Sequence, residues 1–165
     1  MASAPNRILS LDAKDRRILQ MVQRDSSLPQ SAIARKVGLS TPAVHERIKK
    51  LRSSGVIRRW TAQVDPAAVG ATVSAFVEVS FERSRFETGF LERVAKLDEV
   101  LECHHITGEF SLLLKVRVGD MKALQQLLLD RLGGYEGVRQ TRTVMVLSTV
   151  KEETYTDPFA GGNER

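Results

Sequence analysis

Several marks of secreted, membrane and catalytic proteins are scarce or missing here. A single cysteine, Cys103, stands in 165 residues, so no internal disulfide can staple the fold. No run approaches the roughly 18 consecutive apolar residues that a membrane helix requires. Met1 to Ser10 is short and polar, with no apolar h-region, so a secretory leader is not expected. Together these absences predict a cytoplasmic protein. A phosphate-binding glycine loop is missing too, because Gly133-Gly134 reads as a helix end. Cys103, His104 and His105 look reactive together, but alternation along a strand sends Cys103 and His105 to one face and His104 to the other. They form neither a metal site nor a nucleophile–base pair. No enzyme, metal or cofactor is expected.

What is present is an apolar content of 42%, enough for a real core, and an uneven charge. The net charge is +5. Residues 1–66 hold 13 Lys+Arg against 5 Asp+Glu, a net of +8, while residues 67–165 carry a net of −3. A basic unit joined to a mildly acidic one suggests a polyanion-binding module on a neutral partner domain.

The basic part reads as three helices. Asp12 can cap the first, Asp15 suits the positive end of its dipole, and Ile18, Leu19 and Val22 form its buried face. Asp25-Ser26-Ser27-Leu28-Pro29 ends that helix, Pro29 disfavouring a helical residue before it, and a second short helix follows from about Gln30 to Val37. Gly38 supplies the positive φ of a tight exit, Ser40 caps the third helix, and Pro42 fits its first turn. Val44, Ile48 and Leu51 line its inner stripe. Small Ala34 at the crossing, Gly38 at the turn and Val44 beyond it meet the mechanical needs of a helix-turn-helix. Residues at the start of a recognition helix face base edges, and basic neighbours hold phosphates. Thr41, His45 and Glu46 are the candidate base readers. Arg47, Lys49, Lys50, Arg52 and Arg58 are candidate phosphate contacts, joined at the DNA side by Gln30, Ser31, Ser40 and Pro42. Val56–Val64 is expected as a strand linking the two units.

From Thr72 onward the order reads β-α-β-β-α-β, which predicts a ferredoxin-like sheet with both helices on one face. The expected strands are 72–81, 100–106, 111–118 and 138–150. The expected helices are 85–97 and one capped by Asp120, with Met121, Leu124, Leu127, Leu128 and Leu132 inward. The other sheet face, bearing Phe76 and Leu113, is an expected oligomer interface. The fold class is thus α+β, a winged-type helix-turn-helix plus a ferredoxin-like domain. Its expected parts are a flexible N-terminus over 1–10, DNA-binding helices over 11–56, a linker strand and hinge over 57–71, the second domain over 72–151, and a tail over 152–165.

The run Leu11-Asp12, Asp15, Ile18-Leu19, Ile33-Ala34, Val37-Gly38-Leu39-Ser40, Val44, Arg47-Ile48, Leu51 and Gly55-Val56-Ile57 resembles the Lrp/AsnC, or feast/famine, transcription regulators. So do Gly70, Phe76, Val100, Thr107-Gly108, Gly137-Val138, Thr141 and Thr143. The resemblance implies a sequence-specific regulator that binds double-stranded DNA, is nucleoid-associated, and forms homodimers that assemble further into octamers. It also implies an amino-acid effector held between dimers near Thr107, Gly108, Glu109, Phe110 and Ser111, with Thr141 and Thr143 nearby. Many family members carry aspartate where Ser111 stands. Ser111 can hydrogen-bond but supplies no charge, and Glu109 is the candidate substitute. An architectural DNA-binding protein without effector control is the alternative.

Overall fold

The computed structural model describes residues 10–160, so the expected flexible N-terminus lies almost wholly outside the described residues. Two compact units result. Residues up to Ala62, together with those from Glu152 onward, form one, and Gln63–Lys151 forms the other.

In the first unit, helices α1 (Ala13–Arg24), α2 (Gln30–Val37) and α3 (Thr41–Ser53) follow the expected boundaries closely. Asp12 accepts from the Asp15 N–H while the Asp15 carboxylate accepts from the Asp12 N–H, a reciprocal cap that satisfies two otherwise orphaned donors. Ile18, Leu19, Val22, Ile33, Ala34, Val44, Ile48 and Leu51 form one core, each at the helical spacing that puts it on its helix's inner stripe. Ile18 and Val44 are fully buried. The strand expected over Val56–Val64 does not form. The Ile57 N–H turns back to the Leu51 carbonyl at 2.9 Å, and Val56 and Ile57 close the helical core. Beyond them no partner strand is present among the described residues to complete a ladder.

The second unit is a four-stranded antiparallel sheet in the order β2-β3-β1-β4, the βαββαβ arrangement expected from the sequence. Its strands are β1 (Val73–Phe81), β2 (Val100–His105), β3 (Leu112–Val118) and β4 (Val138–Met145). Alternation places Ala75, Val77 and Val79 of β1 and Leu112, Leu114 and Val116 of β3 in the core. There they meet Phe90 and Val94 of α4 (Glu87–Val94), and Leu124 of α5 (Met121–Gln126) with Leu127 and Leu132 beyond it.

Four details depart from expectation. The helix foreseen over 85–97 breaks into a 3-10 turn at Ser84–Phe86, then α4, then single turns that still bury Leu97. Met121 is exposed, because at the first position of α5 it precedes the turn that packs on the sheet. The last two turns, Leu127–Gly133, are π-helical and end at Gly134. Finally β4 stops at Met145 rather than Val150. Met145 already faces Ala75, the Val146 N–H reaches the Ser74 carbonyl, and β1 offers no further partner.

The sheet face away from the helices is mixed rather than simply apolar. Phe76 and Leu113 sit among two groups of charges. Glu102 holds His104 at 3.1 Å and Lys115 at 3.4 Å, and Arg142 pairs with Glu78.

Candidate DNA interface and ligand-binding turn

Helix α3 is positioned by short-range chemistry. Gly38 adopts φ 64°, ψ 47°, which side-chain-bearing residues rarely adopt, and Leu39 N–H caps the Ala34 carbonyl at 3.0 Å. Two residues later the Ser40 hydroxyl accepts from the Ala43 N–H at 3.3 Å. The chain thus turns and restarts within three residues, and buried Ala34 lets the helices cross closely.

The predicted contacts then separate. Thr41, His45, Glu46, Lys49, Lys50 and Arg52 are exposed on α3, and among the described residues Lys49, Lys50, Arg52 and Arg58 make no ion pair. His45, Lys49, Arg52, Arg58 and Gln30 meet around one open hollow of about 670 Å³, with Ile33 and Ile48 among its apolar lining. Trp60 forms part of its rim and is 40% exposed. Ser31, Thr41, Pro42, Glu46 and Lys50 lie outside that hollow. Ser40 is spent on its cap.

Arg47 is a correction. Its guanidinium donates to Asp12 at 2.6 Å and to Asp15 at 2.7 Å, so it clasps α3 to the start of α1 instead of facing solvent as a phosphate contact. The two carboxylates raise its pKa further. Burial works to raise the Asp12 pKa, but the Asp15 N–H and the Arg47 guanidinium outweigh it and hold that carboxyl below its usual value. The sequence does contain the signal, since Asp12 and Asp15 open one helix and the residue before buried Ile48 is an arginine, but no local rule pairs positions 32 and 35 apart.

In the second unit, β2 and β3 are joined through Thr107–Ser111. Gly108 takes φ 118°, and Ile106 N–H donates to the Ser111 carbonyl at 3.0 Å. Ser111 N–H donates to the Val79 carbonyl at 3.0 Å, and Thr141 faces Val79 from the opposite side, so β1 alone separates the turn from β4. Thr143 sits two residues on, opposite Val77. Phe110 is 4% exposed and forms a floor, with the Arg142 guanidinium 4.9 Å from its ring centroid. Glu78 and Glu109 both raise the Arg142 pKa, Glu78 through its hydrogen bond first. Arg142 and Glu78 were missed by the sequence reading. Both lie on the face of β4 and β1 away from the helices, and only the register Glu78↔Arg142 joins them.

Cys103 and His105 lie on the helix side of the sheet and His104 on the other, as alternation requires. His105 bonds Glu87 at 2.5 Å, and burial and the Glu87 charge push the Cys103 thiol up, away from the reactive thiolate.

Residues 11–58 match a family described as winged helix-turn-helix DNA-binding, and residues 74–156 match the Lrp/AsnC ligand binding domain. The chain belongs to the Lrp/AsnC family of transcriptional regulators. The leucine-responsive regulatory protein of Escherichia coli K12 is 39% identical over 145 residues, 86% of this chain and 88% of that one. The FL11 regulator of Pyrococcus abyssi is 38% identical over 146 residues, 88% of this chain and 95% of that one. Among solved structures, a Neisseria meningitidis transcriptional regulator in complex with L-Met superposes with a TM-score of 0.85 at 31% identity, covering 92% of this chain and 99% of that one. The Lrp/AsnC chain described here is therefore a DNA-binding regulator with a ligand-binding domain. No helix among the described residues is long and apolar enough to cross a membrane.

Proposed function

We propose that this regulator grips DNA through the exposed side of α3 and adjusts that grip when an α-amino acid binds at the Thr107–Ser111 turn. The observation that carries the DNA side is the group of Lys49, Lys50 and Arg52, exposed on the recognition helix and without ion-pair partners among the described residues. Cations left unpaired on one helix are available to replace the counterions of a phosphate backbone. Thr41, His45 and Glu46 occupy the first turns of α3, where side chains meet base edges, and Glu46 suits the exocyclic amine of cytosine. Gln30, Ser31 and Arg58 complete the phosphate side.

For the effector, an α-amino acid asks for a cation or N–H donors for its carboxylate and an acceptor for its ammonium. Arg142 and the backbone of Gly108 supply the first. Glu109 supplies the second, replacing the charge that Ser111 lacks. Thr141 and Thr143, opposite the core residues Val79 and Val77, point to the helix side of the sheet and so stand apart from this group. The L-Met complex of the Neisseria relative supports an amino-acid ligand. Two-fold pairing through the sheet face that carries Phe76 and Leu113 would present the helix-turn-helix units in pairs, and octamers would follow from pairing of dimers.

The test is a thermal-shift and light-scattering screen across the amino acids, with L-methionine first. One of them should raise the melting temperature or change the assembly mass, and Arg142→Ala should abolish that response. If none acts, the architectural reading prevails.

A further inference from the structure

The tail was expected as a separate segment, yet it is held along α1. The Gln23 side-chain amide pairs with both main-chain groups of Thr156. Its Nε2 donates to the Thr156 carbonyl at 3.0 Å, and its Oε1 accepts from the Thr156 N–H at 2.9 Å. This is the donor–acceptor pair by which one strand reads another. Arg16, seven residues earlier on the same side of α1, donates to the Pro158 carbonyl. Arg24 lies over the Tyr155 ring at 5.7 Å. The tail prepares its own shape, because Asp157 accepts from the Phe159 N–H at 3.0 Å and the Ala160 N–H returns to the Asp157 carbonyl at 3.2 Å. Tyr155, Pro158 and Phe159 are half-buried while Glu152, Glu153, Thr156 and Asp157 are exposed. The charges also match, an acidic tail lying against the basic end of the chain.

We propose that this side of α1 is a docking site for an extended, aromatic peptide, that its occupant is the chain's own Tyr155–Phe159, and that the docked tail is a strap joining β4 to the DNA-binding helices. The strap gives the helix-turn-helix a second covalent connection to the ligand-binding domain, besides the linker after Ala62. Between the end of β4 and Tyr155, Leu147 and Val150 are almost fully exposed, so the anchoring rests on the residues named above. The regulatory meaning of the strap depends on the effector reading of Arg142 and the Thr107–Ser111 turn. The docking itself does not.

Amide hydrogen exchange on the full chain tests it. The Thr156 N–H should be protected in the parent protein and lose at least roughly tenfold of that protection in Gln23→Ala, with Ile18 and Leu19 amides still protected as a check that α1 is folded. Tyr155→Phe, which keeps the ring, should retain the protection. Exchange across α1–α3 should quicken several-fold in Gln23→Ala while β1 and β3 stay unchanged. An unprotected Thr156 in the parent protein overturns the proposal. Protection that fades on dilution overturns it as well, because the occupant is then the tail of a second copy. Binding to random-sequence duplex DNA supplies the last arm. The salt dependence should be the same for parent and Gln23→Ala, and a steeper dependence in the variant would show that the tail screens cations rather than straps the unit. If Lys49→Ala leaves DNA binding untouched, the DNA reading fails while the Thr156 protection still decides the strap.

Discussion

Arg47 shows how one side chain can belong to the fold where its neighbours belong to the ligand. Its two bonds to Asp12 and Asp15 leave it little freedom to reach a phosphate. Arg47→Ala should therefore lower the stability of the helix-turn-helix, seen in a urea midpoint, yet leave the salt dependence of DNA binding unchanged. Lys49→Ala or Lys50→Ala should do the opposite, each flattening the slope of log K against log salt by about one. Asp12 carries a pH signature. Its carboxyl pKa is held below the usual 3.8, so the folded state favours the charged form. That contribution is complete above the unfolded value and disappears as pH falls through the lower folded value. Asp12→Asn, which keeps a capping oxygen, should cost stability near pH 6, and that cost should shrink as pH falls below the unfolded value and through the lower folded one, followed by urea unfolding across the acid range.

At the scale of elements, periodicity carried most of the information. The boundaries of α2 and the start of α3 were legible because Pro29, Gly38, Ser40 and Pro42 are punctuation with a local mechanism. Gly38→Ala should cost about 1–2 kcal/mol in thermal or urea unfolding, since the added Cβ meets nothing in space and only the left-handed backbone opposes it. The failures share a cause. Val56–Val64 has the composition of a strand, and residues 147–150 continue the pattern of β4, but a strand is defined by a neighbour and neither stretch has one among the described residues. Leu127–Gly133 repeats leucine at helical spacing, and nothing in that spacing distinguishes an α-helical turn from the wider π turn that forms. The ligand turn was legible through Gly108, whereas Arg142 was hidden because its partner lies 64 residues away across a strand pair.

For the whole molecule, the charge asymmetry of the two ends pointed to the division of labour, and the family comparisons agree with it. A pair of recognition helices related by two-fold symmetry should prefer half-sites about one helical turn apart or a multiple of it. Inserting half a turn of DNA between selected half-sites should weaken binding in a gel-shift series, and restoring a whole turn should recover it. The docked tail also has a consequence in time. Synthesis runs from the N-terminus, so α1 leaves the ribosome long before Tyr155 is made. At roughly 5–20 residues per second, Gln23 waits on the order of ten seconds for its partner. A nascent chain can thus form its three helices and its sheet, but the last stitch of the DNA-binding unit is added only when translation has passed through the entire sensing domain.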